Sequence, residues 1–444
     1  MITALGFLMM FSIIVLILFR RISPVVGFTT IPVAICLLAG FAPPQIGDFI
    51  KNGLITVAPT AALFLFAILY FGIMRDRGLF DPLVNFLIRR TGGKPLAVAL
   101  VTVVVTAFVH LDGVGAATFL LTIPALLPLY KRLNMSPNML LLLVGTTAGV
   151  GNMVPWGGTT ARAAATTGLD ATALWMGLIP VQLVGFACLL LIAAWLGLRA
   201  QRQLPKSVGA ASSFDFTLAQ PEEREFALSP RELRYWLNVA LTVAILACLF
   251  TGIFPLYACF MVGLGIALPL NFSSLEAQTD RIKAHAADAL QMVLVMMAAG
   301  VLLGVLSGAK MSDGMALALI DALPSGSAQY LHLIIGAFGV PLGMIFSPDA
   351  YYFALLPVIR DVAVAAGVPL EAVARAMLIG ENTGFAISPV VPSVYLALAL
   401  AGVELRKHIL YTFFWAWGVS LVMLARKLRS NWPRIFMKSV VKLA

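Results

Sequence analysis

Two aspartates follow hydrophobic runs in this sequence, and they are the residues best placed to do chemistry. Asp112 stands in HLDGV (110–114) and Asp349 in SPDAY (347–351). An ionised carboxylate at membrane depth costs at least ~2.5–3.5 kcal/mol, so it requires a cation, a proton or an arginine beside it. Gly113 lets the backbone turn and approach a ligand closely. We predict that both aspartates bind a cation or a proton, with helix capping as the alternative for Asp112.

A second candidate for chemistry is GNMVPWGGTTAR (151–162), in which an otherwise charge-free run reaches an arginine. Its glycines and Pro155 predict an interrupted helix. After the break, Thr159 or Thr160 can cap a new half-helix whose free N–H groups face an anion. The planar guanidinium of Arg162 suits a carboxylate. The alternative is that Arg162 pairs with a buried acid or extends to the surface.

The second half of the chain repeats these features. GENTG (380–384) places Asn382 beside glycine, as Asn152 is placed in the first half, and Ser388 and Ser393 follow next to prolines. An aspartate at a hairpin tip and an asparagine at a helix break therefore occur once in each half. Such paired interruptions are typical of binding sites near the middle of a membrane transporter.

The elements that must position these residues are membrane helices. The 444 residues are 61% hydrophobic and 11% charged, whereas soluble domains carry about 25% charged residues. Charge-free stretches long enough to span a bilayer recur along the chain, at 22–47, 52–74, 133–161, 171–198, 289–309 and 382–403. We predict an all-α polytopic membrane protein with about 11 transmembrane helices plus two re-entrant hairpins. The first helix lacks a basic leader and is expected to be retained.

Composition also argues against other classes. The net charge of +10 comes from Lys and Arg in the connections, where the positive-inside rule explains it, so no nucleic-acid partner is expected. The sequence has no HExxH motif and four histidines, which argues against an intramembrane enzyme. Four cysteines lie in apolar segments without metal-ligand spacing and are interpreted as packed side chains, at Cys36, Cys188, Cys248 and Cys259.

A polar segment at 201–232 divides the chain into two similar halves, and the positive-inside rule places it in the cytoplasm. The first repeat, 1–200, is expected to contain three helices, a hairpin at 95–130, a broken helix at 137–168 and a helix at 171–198. The second repeat, 233–428, is expected to contain a hairpin at 328–366, a broken helix at 372–400 and a helix at 405–425. A basic tail follows at 429–444.

The paired apolar runs of each hairpin are too short and too close to cross the bilayer twice. We interpret them as re-entrant hairpins, which are tolerated at membrane depth only where they line a site. Each repeat then crosses the membrane five times, so the second copy is inverted. Inverted repeats with discontinuous helices place the substrate between them, near the midplane.

Nearly the whole chain resembles the metal-citrate:proton symporter family, a branch of the ion-transporter superfamily related to the divalent-anion:sodium symporters. The resemblance is strongest in VAPT (57–60), LDG (111–113), LPLYKRL (127–133), PWGG (155–158) and SPDAYYF (347–353). It implies uptake of citrate complexed with a divalent metal ion, driven by protons, by a homodimer with an elevator mechanism. The lipid bilayer of a bacterial inner membrane is the expected location, and no enzymatic cofactor is implied.

Departures from the family pattern affect the substrate. The family often has a second acid where this chain has Val114, and Gln and His where it has Glu381 and Phe385. A sodium- or proton-coupled carrier of a dicarboxylate or other organic anion therefore stays an alternative, and a channel is disfavoured by the duplicated broken helices. The predicted metal ligands, carried with the substrate, are Asp112 and Asp349. The predicted substrate-binding residues are Asp112, Gly113, Thr118, Asn152, Trp156, Gly157, Gly158, Thr159, Thr160, Arg162, Ser347, Asp349, Tyr351, Asn382, Thr383, Ser388 and Ser393.

Overall fold

The computed structural model describes residues 1–203, 227–251, 254–324 and 326–443, and the regular elements within these ranges are all helical. The predicted all-α class is confirmed. Five helices are long and apolar enough to cross a membrane: Pro43–Asp76, Pro95–Asp112, Ile179–Gln203, Leu275–Gly308 and Leu405–Arg426. Counting each of two bent helix pairs as one span raises this number to 7 within the described ranges, and shorter apolar helices of 10–17 residues accompany them.

The helices of the first half are α1 (Ile2–Leu18), α2 (Pro24–Leu38), α3 (Pro43–Asp76), α4 (Asp81–Arg89), α5 (Pro95–Val109), α6 (Gly115–Arg132), α7 (Pro137–Gly151), α8 (Gly158–Thr167), α9 (Ala171–Met176) and α10 (Ile179–Gln203). A 3₁₀ turn, His110–Asp112, joins α5 to α6. Several of these helices begin at proline, whose fixed φ and missing N–H suit the first helical position.

The helices of the second half are α11 (Leu233–Thr251), α12 (Leu256–Asn271), α13 (Leu275–Gly308), α14 (Met311–Ala322), α15 (Leu331–Ala337), α16 (Gly339–Ile345), α17 (Leu356–Ala365), α18 (Leu370–Asn382), α19 (Pro392–Ala401) and α20 (Leu405–Leu443). A π-helix, Ala350–Leu355, precedes α17, and 3₁₀ turns occupy Ala328–Tyr330 and Thr383–Ile387. Like the first half, it contains one helix of 34 residues (α13) and ends in a long helix (α20).

Several boundaries differ from the predicted ones, and the single helix predicted at 171–198 is divided into α9 and α10. Helices α3 and α13 each contain 34 residues and begin well before the charge-free stretches at 52–74 and 289–309. Their second turns carry charged residues such as Asp48 and Asp280, which a search for charge-free runs excludes. Helix α20 also continues beyond the predicted end at 425. Of the predicted linker, residues 204–226 lie outside the described residues.

The interruptions that shape the site have local causes. At the first hairpin tip, Gly113 has a φ of 71°, a left-handed conformation that glycine adopts without strain. The first broken segment stops at Gly151 and resumes at Gly158. In the second half, α15 and α16 meet at 69°, and α18 with its 3₁₀ turn meets α19 at 40°. At each interruption, backbone N–H and C=O groups lack the hydrogen-bond partners that a continuous helix would give them.

Two large apolar clusters meet at these interruptions. One joins the first hairpin, α7, α10 and α20 to α17, α18 and α19. The other joins α1, α2, α3 and α13 and includes Phe353 of the π-helix. We call them the hairpin cluster and the long-helix cluster. The cavity described below lies where residues of both clusters face each other.

Helices α3 and α13 approach each other closely through glycines. A Cβ atom added at Gly53 would lie 2.8 Å from the Gly304 nitrogen and 2.9 Å from the Gly300 carbonyl carbon. Real side chains essentially never approach a backbone this closely. The contact therefore requires glycine.

Gly53→Ala is expected to destabilise the protein, because the methyl group pushes α3 away from α13. We expect a loss of about 1–3 kcal/mol, as for other overpacked contacts, measured as a lower Tm of the detergent-purified protein. Gly47→Ala on the same helix is the matched control, since a Cβ at Gly47 meets nothing within 4 Å. An equal Tm for the two variants would contradict the close contact.

Candidate functional site

A cavity of about 740 Å³ lies between the two halves of the chain, within the range of small-molecule sites. It is lined by the first hairpin tip, the start of α8, the second hairpin tip and the start of α19, together with α13 and the connection between α1 and α2. Eight predicted site residues line it: Gly113, Asn152, Gly158, Thr159, Arg162, Ser347, Asp349 and Ser393.

An ion pair joins the two halves across this cavity. Arg162 Nε donates to Asp349 Oδ1 at 2.7 Å, and Arg162 Nη1 donates to the Gly158 carbonyl at 2.8 Å. The side chains are only 12% and 18% exposed. Both interpretations of Arg162 therefore have a structural basis, because the guanidinium lines the cavity and also pairs with an acid. Arg162 is thus a cation at the cavity whose charge is offset by Asp349.

Asp112, in contrast, is not among the described residues that line the cavity. Its Oδ2 accepts a hydrogen bond from Arg75 Nη1 at 3.1 Å, and its Oδ1 accepts one from the Val114 N–H at 2.9 Å. The side chain is 3% exposed. These contacts are those of a residue that holds the hairpin turn, so the two aspartates occupy different environments despite their equivalent places in the sequence.

The two asparagines stabilise the helix breaks. Asn152 Oδ1 accepts from the Gly158 N–H at 3.3 Å, which closes the first break. Asn382 Oδ1 accepts from the Thr159 hydroxyl at 2.7 Å, and Asn382 Nδ2 donates to the Leu378 carbonyl at 2.7 Å. Thr159 lines the cavity. The buried Asn382 therefore holds Thr159 in position without lining the cavity itself.

The remaining predicted residues surround the site, and the described cavity lining does not include them: Asp112, Thr118, Trp156, Gly157, Thr160, Tyr351, Asn382, Thr383 and Ser388. Most hold the backbone. Trp156 Nε1 donates to the Leu111 carbonyl at 2.7 Å, fixing the first broken segment to the first hairpin tip. Ser388 donates to the Gly343 carbonyl at 2.6 Å, and Thr383 to the Ala416 carbonyl at 2.9 Å.

Three charged residues of the cavity were not predicted from the sequence. Arg20 and Arg21 reach it from the connection between α1 and α2, and Asp288 reaches it from α13. Arg20 Nη2 also donates to the Pro389 carbonyl at 3.2 Å. An arginine pair shortly before a helix start at Ser23-Pro24 is the signal that the sequence offers for them. Within the described lining, three arginines and two aspartates leave a net charge of +1.

Protein side chains alone do not assemble an evident metal centre in the part of the chain that the structure describes. No group of three or more His, Cys, Asp or Glu side chains is close enough there to hold a metal ion. Asp349, at the cavity, and Asp112, at the turn, each have an arginine partner instead.

The long apolar helices, together with charged side chains at a cavity between them, are those of a multi-pass membrane protein. Residues 3–380 match the family described as Citrate transporter (CitMHS). The citrate transporter of Bacillus subtilis (strain 168) is 38% identical over 423 residues, which cover 95% of this chain and 97% of that protein. The chain belongs to the citrate transporter family, as the resemblance predicted, and is a transporter rather than an enzyme.

Two further proteins are similar over most of the chain. The Mg(2+)/citrate complex secondary transporter of the same organism is 37% identical over 431 residues, 96% of this chain and 97% of that protein. The crystal structure of the Alcanivorax borkumensis YdaH transporter has a TM-score of 0.59 at 18% identity and covers 87% of this chain and 86% of that one. The second likeness concerns the fold alone.

Proposed function

We propose that this protein takes up citrate as a complex with a divalent metal ion, such as Mg²⁺ or Ca²⁺, in symport with protons. The observation that carries the proposal is the charge of the cavity, where three arginines face two aspartates. A divalent ion leaves a fully ionised tricarboxylate with a single negative charge, which complements a net charge of +1. Similarity to a Mg(2+)/citrate complex transporter supports the same substrate class.

The metal also lowers the energy needed to bring the substrate out of water. A free tricarboxylate carries several charges whose desolvation in a closed site is expensive. In a chelate the carboxylates are already paired, and Arg162 has only the remaining charge to bind. The metal is thus part of the substrate, and no resident cofactor is proposed.

Movement of one apolar cluster against the other gives a route for alternating access. We propose an elevator mechanism in which the hairpin cluster carries the site past the long-helix cluster, within an inverted-repeat homodimer in the bacterial inner membrane. The cavity lies between the two clusters. The Arg20 to Pro389 hydrogen bond joins the α1–α2 connection to the second broken segment, so it has to break during this movement.

Uptake into proteoliposomes tests the proposal. Labelled citrate is supplied with Mg²⁺, with Ca²⁺ or with a chelator, under either an inward proton gradient or an inward Na⁺ gradient. We expect saturable accumulation that requires a divalent ion and collapses with a protonophore. Accumulation driven by Na⁺ and indifferent to the chelator would instead identify a sodium-coupled carrier of free organic anions.

A further inference from the structure

Glu381 is a buried carboxylate next to the site. It lies at the end of α18 and is 2% exposed. Glu381 Oε2 accepts a hydrogen bond from the Tyr352 hydroxyl at 3.0 Å. Among the described residues, the ion pairs within 4.0 Å give Asp112 and Asp349 an arginine each but give Glu381 no cation.

The charged or titratable groups that act on Glu381 come from two of the elements packed against α18. Arg162 is the neighbouring cation, on α8, which packs against α18, and Tyr352 of the π-helix donates the hydrogen bond to Glu381. A charged carboxylate in such a place is expensive, because it has lost its water and one hydroxyl replaces it only partly. A neutral, protonated Glu381 avoids this cost.

Glu381 is also connected to the cavity through short links. The next residue, Asn382, accepts the hydrogen bond of Thr159, which lines the cavity. Tyr352 follows Asp349 by three positions on the second hairpin. A change in the charge of Glu381 is therefore felt at the cavity in two ways. It affects Thr159 through Asn382, and it alters the electrostatic interaction with Arg162.

We propose that Glu381 binds a proton that is carried together with the anion; this rests on the proposed proton symport. In the empty site Arg162 pairs with Asp349 and also favours the charged form of Glu381. A bound anion offsets the charge of Arg162, so that proton binding and anion binding favour each other. The carboxylate gains one proton on the side of uptake and releases it on the other side together with the substrate.

The decisive measurement is the number of protons moved per anion, obtained in proteoliposomes from the pH gradient that balances a fixed substrate gradient. Glu381→Gln keeps the size and hydrogen bonding of the side chain but cannot bind a proton. We expect it to exchange internal for external substrate and to move one proton fewer per anion. Glu371→Gln, an exposed acid on the same helix, is the matched control and should keep the parental ratio.

An unchanged ratio in Glu381→Gln overturns the inference while leaving proton symport intact. If the parent itself shows no response to a pH gradient, the proposed symport fails, and the parental measurement alone identifies that case. Should Glu381→Gln not assemble, Tyr352→Phe decides, because it keeps the acid and removes the hydroxyl that stabilises its charged form. The midpoint of the pH profile of uptake should then move up by roughly 0.5–1 unit, and an unmoved midpoint overturns the inference.

Discussion

Arg162→Lys is expected to raise the metal-citrate concentration for half-maximal uptake by roughly 10- to 100-fold, the loss that follows from removing one or two charge-assisted hydrogen bonds. Lysine keeps the charge but has one nitrogen where the guanidinium has a planar fork. In the structure Nε faces Asp349 while Nη1 is held by the Gly158 carbonyl. A lysine cannot make both contacts in this geometry and bind a carboxylate as well.

The measurement is the concentration dependence of initial uptake at saturating metal and at equal amounts of reconstituted protein. Arg89→Lys, an exposed arginine at the end of α4, is the control and should behave as the parent. The same half-saturating concentration in Arg162→Lys and the parent would show that the guanidinium does not bind the substrate.

Asp349→Asn and Asp112→Asn are expected to fail in different ways, although the sequence gives both residues the same role. Asp349 lines the cavity and pairs with Arg162. Removing its charge should shift the metal concentration for half-maximal uptake by roughly tenfold or more, the scale of a lost charged hydrogen bond. The protein should remain folded in Asp349→Asn, since Asp349 and Arg162 both line the cavity.

Asp112→Asn should instead reduce the stability of the protein by about 1–3 kcal/mol. Breaking a fully buried ion pair costs about 3–5 kcal/mol, but Arg75 is 22% exposed and keeps part of its solvation. The two variants are compared by Tm, by metal dependence and by the response to a pH gradient. A changed metal dependence in Asp112→Asn at unchanged Tm would contradict this expectation and show that Asp112 belongs to the substrate site.

Much of the fold follows from local chemistry that the sequence displays. Gly113 and the Gly151 to Gly158 segment are visible as interruptions because closely spaced glycines and proline weaken a regular helix in an apolar run. The length of α3 and α13 was not predictable in the same way. Their polar first turns look like connections until the partner helix is known to be equally long and to pack against them.

The site was harder to predict, because sequence position does not give the direction of a side chain. Asp112 and Asp349 are equivalent by pattern, and only the structure separates them through Arg75 and Arg162. Arg20 and Asp288 line the cavity from segments far away in the chain. Such contacts arise from tertiary packing, which the local sequence pattern does not reveal.

The unlike partners of the two hairpin aspartates have a consequence for the symmetry of this architecture. The pair of Asp349 crosses from one half to the other, whereas that of Asp112 stays within its own half. Arg162 is the fifth residue of α8, and the fifth residue of α19 is Leu396. Two equal halves would form two such cross-pairs related by symmetry, and this chain retains one. The asymmetry of this site thus corresponds to a single difference between the halves, Arg162 against Leu396.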